Sequence, residues 1–304
     1  MNNNIPHPFI DKKNFISMVE KKIISELLPY ELSRKKLLRF ERLMWCVSIL
    51  IFILLYLISR EKIDDIGTIL LISALPVLYA YRKIHLFVKN KKDNIIPKCF
   101  SFLGDLKVGQ NVISSSFIKK SMLFDDFNVP EIDEEFSGCF ANTTFSLSEE
   151  EITKGSGKHK KWVFDGIFIA IRMHKPIHGH TAIFNCSLFD KPFILKLEKV
   201  EIEDPEFMKE NYIYSSDQIE ARFILTPIFI ERLKALKMAF NSERVDIAFF
   251  DDYALLALHC SKNLFETFTI RRPVTDTRIF DKFYDEMLSL KNLIESLKMD
   301  NVNM

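Results

Sequence analysis

The stretch from Leu43 to Tyr81 constrains this chain more than any other. Leu43–Ser59 and Ile66–Tyr81 carry no charged side chain, and only Arg60, Glu61, Lys62, Ile63, Asp64 and Asp65 lie between them. A helix rises about 1.5 Å per residue, so a bilayer core of about 30 Å takes about 20 apolar residues. Both segments fall slightly short, and flanking Arg and Lys can snorkel to make up the difference. A water-facing helix of this length would show a polar face, and neither segment has one. The pattern reads as a two-helix transmembrane hairpin; a hairpin buried in a soluble core is the alternative. Pro76, inside the second segment, is tolerated by membrane helices. A cleaved signal peptide does not fit, because a long polar segment precedes the first span and a second span follows it.

Orientation follows from the basic flanks. Arg34, Lys35, Lys36, Arg39 and Arg42 precede the first span, and Arg82, Lys83, Lys89, Lys91 and Lys92 follow the second. In the loop, Arg60 and Lys62 are opposed by Glu61, Asp64 and Asp65. The positive-inside rule then puts both termini on the cytoplasmic side. The segment Arg34–Arg42 sets topology or lies along anionic headgroups.

The formal net charge is +1 over 304 residues, so the basic charge is local to the membrane flanks. The roughly 200 residues after the hairpin suffice for one globular domain. Five cysteines are scattered without a CxxC pair. That excludes a disulfide scaffold or zinc ribbon and fits a reducing compartment.

Along the chain, Lys12–Arg42 is helical with a break expected near Pro29, and Ile16, Val19 and Ile23 keep helical spacing. Arg82–Asn94 continues as helix, and Cys99–Asp133 reads as irregular. Phe140–Leu147, Trp162–Met173, Thr181–Cys186 and part of Pro192–Glu203 read as strands. Ile167–Ile171 is apolar enough to be central in a sheet. Glu149–Glu151 and Lys158–Lys161 read as a solvated hairpin tip. Thr226-Pro227 starts a helix to Phe240, with Thr as N-cap and Pro at the first helical position. Val245–Phe250 and Ala254–His259 form a hairpin around Asp251-Asp252, and Phe265–Ile270 is strand-like. Phe280, Phe283, Met287, Leu290, Ile294 and Leu297 repeat in a three-four rhythm over a helix from Asp276 to Met299. This stripe packs on its own domain, on the juxtamembrane helix, or on a second copy.

Motifs of chemistry are scarce. Gly155-Ser156-Gly157-Lys158 lacks the earlier Gly and the following Ser or Thr of a phosphate loop. His174, His178 and His180 are close in sequence, but no Cys or carboxylate beside them completes a metal set. No GxSxG, HExxH or dinucleotide fingerprint occurs. The most unusual polar stretch runs from Asp204 to Phe223. There Asp204 caps one helical turn, and Ser216 or Asp217 caps another, with Glu220 as capping-box partner. Arg222 would pair with Glu206 or Asp204. The alternative is a ligand site on which Asp204, Asp217, Glu220 and Arg222 converge.

Trp162–Phe168, His178–Thr181, Val200–Phe207 and above all Tyr214–Pro227 resemble the bacterial family catalogued as domain of unknown function 3137. The resemblance covers roughly residues 110 to 270. It implies two membrane segments upstream and no known catalytic residue. Where that family usually has a basic residue after the Gly, this chain has His180.

The expected architecture is α+β: a two-helix transmembrane hairpin, then a mixed α+β cytoplasmic domain with a long C-terminal helix. Its parts are an N-terminal amphipathic segment at 1–42, the hairpin at 43–81, a juxtamembrane helix or linker at 82–97, the domain at 98–275, and the C-terminal helix and tail at 276–304. With the bacterial family it resembles, the expected function is an interaction or scaffold module at the cytoplasmic face of a bacterial inner membrane. The rival is a membrane-tethered enzyme, for instance a hydrolase, using Asp217, Glu220 and Arg222. The expected partners are the bilayer through residues 43–81 and a protein or second copy of the chain. No nucleic acid, metal or cofactor is expected.

Overall fold

The computed structural model describes residues 9–58, 66–103, 106–108, 113–140, 142–185, 197–260, 270–273 and 275–299. Ser59 and the loop Arg60–Asp65, Cys186, the first part of Pro192–Glu203 (192–196), and all of the strand-like run Phe265–Ile270 except Ile270 lie outside the described residues. The chain divides into two compact units, one of Asp11–Phe102 with Thr267–Phe280, the other of Met1–Ile10, Leu103–Glu266 and Asp281–Met304.

The first unit is helical. Helix α1 (Lys12–Met18) starts at Asp11, whose carboxylate accepts the Asn14 N–H at 2.7 Å. A π-helical turn (Val19–Ile24) leads into α2 (Ser25–Ile58), which runs through Pro29 instead of breaking there. Phe15, Val19, Ile23 and Leu27 are buried at four-residue spacing across this stretch. Keeping that stripe on one helix outweighs the single backbone N–H that proline lacks. Helix α3 (Ile66–Leu103) likewise passes Pro76 and Pro97.

The two helices run antiparallel, as their paired contacts show. The Ser48 hydroxyl donates to the Ser73 carbonyl, and Phe40 meets Tyr79 with ring centroids 6.1 Å apart. Further out, the Lys91 ammonium sits 2.8 Å from the Tyr30 ring centroid, and Lys98 pairs with Glu26. The hairpin therefore continues past its apolar spans as a two-helix stalk. Helices Lys12–Ile58 and Ile66–Lys91 are long and apolar enough to cross a membrane. Leu50, Leu57 and Leu71 on them are mostly exposed, as lipid-facing side chains would be. Arg34 does not face headgroups: it is buried, grips Glu31 with two nitrogens at 2.6 and 2.8 Å, and donates to the Ile270 carbonyl at 2.7 Å.

The second unit is built on one antiparallel sheet. Its strands are β1 (Leu106–Val108), β2 (Glu131–Phe140), β3 (Thr143–Lys154), β4 (Lys161–Arg172), β5 (Thr181–Phe184), β6 (Glu198–Val200), β7 (Tyr212–Ser215), β8 (Arg244–Phe250) and β9 (Tyr253–His259), in the order β1-β2-β3-β4-β9-β8-β5-β7-β6. The apolar β4 is central, between β3 and β9, as its composition predicts. Side chains alternate between faces. On one, Phe164, Phe168, Ala248, Phe250, Leu255 and Ala257 form a core with Leu123, Phe124 and Ile118 of α4 (Ser115–Lys120). Phe124 stands edge-on to Phe164 and Phe168 at 5.5 and 5.9 Å. On the other face Ile167, Ile169, Ile171, Ile247 and Phe249 are buried, and Phe229 of α7 (Pro227–Ala239) lies 5.8 Å from Phe249. Between them in sequence come α5 (Pro205–Glu210) and α6 (Gln218–Ile224).

The C-terminal helix α8 (Arg278–Met299) buries Phe283, Met287, Leu290, Ile294 and Leu297 within the single chain. Near its start the Tyr284 hydroxyl donates to the Ile10 carbonyl at 2.8 Å, and the Phe9 ring bridges Tyr284 and Phe140.

Besides the break at Pro29, three expectations are corrected. The region expected to be irregular from Cys99 holds the end of α3, then β1, α4 and the start of β2. The strand expected over Phe140–Leu147 is two strands, with Asn142 at φ 65° in the turn between them. Glu149–Glu151 are in the middle of β3, paired with β2 and β4, so the solvated tip is confined to the residues around Gly155–Lys160. For Glu149–Glu151, pairing on both sides within the sheet overrides local polarity.

Candidate functional site

The polar run from Asp204 to Arg222 folds as two capped turns. Asp204 is the N-cap of α5, accepting the Phe207 N–H at 2.9 Å. Asp217 is the N-cap of α6, accepting the N–H groups of Ile219 and Glu220 at 2.9 and 3.0 Å. Both follow local capping chemistry. The capping box does not form. The Asp217 N–H donates to the Ser215 hydroxyl at 3.0 Å, and Glu220 reaches elsewhere.

Glu220 holds the turn between β4 and β5. Its two carboxylate oxygens accept the backbone N–H groups of His178 and Gly179 at 2.9 and 2.7 Å. Ser216 completes the clasp: its hydroxyl accepts the His180 N–H at 2.8 Å, and its own N–H donates to the His180 carbonyl at 3.0 Å. A Cβ on Gly179 would lie 2.9 Å from the Asp217 Cβ and 3.0 Å from a Glu220 oxygen. Only glycine allows this approach. Asp217 and Glu220 thus meet at Gly179, while Arg222 turns away to the Glu201 carbonyl and Gln218, each at 3.4 Å. Among the described residues Glu206 pairs with Lys234 instead, at 4.0 Å, so the expected Arg222 pair with Glu206 or Asp204 is absent.

The histidines disperse. His174 shares a hydrogen bond with Thr143 at 2.8 Å, and His180 reaches the Ser121 carbonyl at 2.9 Å while stacking on Phe250. Burial pushes the His180 imidazole below its ordinary pKa, against the raising effects of the Ser121 carbonyl and Asp251. His178 is exposed.

Buried acidic centres on β8 and β3 escaped the sequence reading. Asp246 on β8 is almost fully buried and accepts from Arg244 at 2.9 Å and from the Asn185 backbone N–H at 2.9 Å, and it bonds the His259 ring at 2.8 Å. His259 is in turn edge-on to Phe164 at 4.8 Å. The register pairs Arg244 with His259 and Asp246 with Ala257, which brings the three groups together across β8 and β9. Glu150 on β3 is 1 % exposed. One of its oxygens accepts the Ser148 hydroxyl at 2.6 Å, and the other has no partner among the described residues. Burial, above all, pushes its carboxyl up to about 7; the Ser148 bond lowers it and Glu135 raises it. In sequence Asp246 shows only the alternation Arg244-Val245-Asp246-Ile247, and Glu150 sits inside the unbroken acidic run Glu149–Glu151.

Next to Asn185, a cleft of about 270 Å³ opens between α5 and α7, over Phe207, Leu233 and Val245. Its rim mixes Lys209, Lys234 and Lys237 with Glu206 and Glu210.

Residues 162–299 match the family described as Protein of unknown function (DUF3137). The DUF3137 match begins at β4 and runs through α8, later at both ends than the expected 110 to 270. It takes in Gly179, Glu220, Asp246 and His259, and leaves out Glu150 and the helical hairpin. No curated protein matches the chain. Among solved structures, the mycobacterial trehalose monomycolate transport factor A, TtfA, shows 10 % identity and a TM-score of 0.35, covering 62 % of this chain and 86 % of its own.

Proposed function

We propose that this protein is held in a bacterial inner membrane by its helical hairpin, with both termini cytoplasmic, and that its α+β unit is an interaction or scaffold module. The observation that carries the reading is the commitment of the polar run. Glu220 gives both carboxylate oxygens to the backbone N–H groups of His178 and Gly179, and Asp204 and Asp217 each give one oxygen to the N–H groups of a helix start. Such residues build a surface. A carboxylate acting as base or nucleophile needs an oxygen free to reach substrate, so Glu220, with both oxygens engaged, lends the tethered-hydrolase alternative little support. The basic flanks and the exposed apolar side chains of the spans support the anchoring.

Two measurements test this. A reporter active only in the periplasm, fused after Met304, should stay inactive; strong activity overturns the orientation. Full-length protein purified from detergent-solubilised membranes should carry a stoichiometric partner or form a stable oligomer. Recovery as a lone monomer that turns over a substrate would overturn the scaffold role.

A further inference from the structure

The hairpin tip joining β3 to β4 is strongly basic. From Lys154 to Trp162 every residue is exposed. The tip presents Lys158, His159, Lys160 and Lys161 in succession and ends on Trp162, a large indole left 64 % exposed. The Lys160 ammonium lies 5.2 Å from the Trp162 ring centroid. Beside the tip, Asn128 is tied to it by bonds to the Thr153 and Gly155 carbonyls, both 2.7 Å, and the next residue, Val129, is 82 % exposed. Gly155, at φ +81°, lets the turn close: a Cβ there would meet the His159 carbonyl oxygen at 2.7 Å.

The charges are ordered along the hairpin. Asp125 neutralises Lys154 at 3.3 Å, whereas Lys158 and Lys161 make no ion pair among the described residues. One step back, Glu131, Glu151 and Asp165 lie side by side across three strands. The hairpin thus has a cationic, aromatic apex and an acidic stem.

We propose that this apex docks on an anionic lipid headgroup surface. Lysines near such a surface are attracted to it, and an indole favours the headgroup layer, where its ring is sheltered and its N–H stays wet. The acidic stem is repelled by the same charge, which limits insertion to the apex. Lipid is favoured over nucleic acid for two reasons. The exposed apolar groups, Trp162 and Val129, sit at a small apex rather than along a groove that would track a backbone. The chain also carries its own membrane-length helices, which raise the effective concentration of lipid. The proposal borrows from the proposed function only the presence of a bilayer nearby.

The test uses Trp45→Phe full-length protein. The chain has two tryptophans, so this leaves Trp162 as the sole indole reporter. The protein is placed in phosphatidylcholine nanodiscs with or without phosphatidylglycerol, and phosphatidylcholine nanodiscs are also titrated with vesicles of either composition. Phosphatidylglycerol, in the disc or in the vesicle, should shift Trp162 emission to the blue and shield it from iodide. Replacing Lys158, Lys160 and Lys161 together by Gln should weaken the vesicle response on the order of a hundredfold, from roughly fivefold per lysine. These side chains are solvated, so the thermal midpoint should not move. An unchanged, iodide-accessible Trp162 in both anionic settings overturns the proposal. A response to added RNA with none to phosphatidylglycerol overturns it in favour of nucleic acid. Loss of the protein from the nanodisc itself would count against the membrane anchor, not against the apex.

Discussion

Glu220 and Gly179 are hydrogen-bonded at 2.7 Å across 41 residues of sequence, the carboxylate accepting the backbone N–H. The same carboxylate takes the neighbouring His178 N–H, so one side chain fixes the turn that feeds β5 into the sheet. Replacing Glu220 by Gln exchanges one accepting oxygen for an amide that faces a donor. The expected cost is about 1–3 kcal/mol. Gly179→Ala should cost about as much by crowding Asp217 and Glu220. Denaturant unfolding measures both, and the double variant should cost less than the sum, because both changes break one contact.

Asp217 separates capping from chemistry. Asp217→Ala should destabilise by about 0.5–2 kcal/mol and Asp217→Asn by less, since Asn also caps. A cellular phenotype that follows the stability order supports the structural role. If Asn is as damaging as Ala while the fold is unaffected, Asp217 acts on a ligand.

Glu150 makes stability depend on pH. Its folded pKa, about 7, lies above the ordinary 4.5, so the folded state binds the proton more tightly than the unfolded chain. The stabilisation is complete below about 4.5 and is lost as pH rises towards 7. Glu286, buried on α8 and also pushed up to about 7, chiefly by burial, acts in the same direction. Glu150→Gln keeps a neutral hydrogen-bonding group and should flatten part of the slope. At pH 8 it should gain up to about 3 kcal/mol over wild type, and at pH 4 almost nothing. Thermal midpoints at the two pH values decide this; an equal change at both would remove the titration account.

Leu290 and Ile294 are fully buried on α8. Replacing both by Glu should therefore unfold or strongly destabilise the second unit, each lost aliphatic side chain costing roughly 1.5–3 kcal/mol before the charge is counted. Light scattering and a melting curve on the same sample check it. A folded, merely monomeric variant would mean that the stripe serves association between copies.

What the sequence determined by itself is what neighbouring residues decide. Two apolar runs of near-membrane length, the N-caps Asp204, Asp217 and Thr226, the β8–β9 hairpin and the three-four spacing of α8 were all legible, because capping and periodicity act over three or four residues. The tertiary structure decided the rest. The acidic run of β2 and β3 reads as solvated surface, yet Glu150 is buried because its flanking strands supply the backbone pairing and its face of the sheet is covered. Glu220 looks like a capping-box partner until a turn 41 residues earlier offers two better-placed donors. Asp246, Arg244 and His259 meet only through the register of two strands. In each case the deciding partner is distant in sequence, and the burial that makes the contact matter exists only once the sheet has formed.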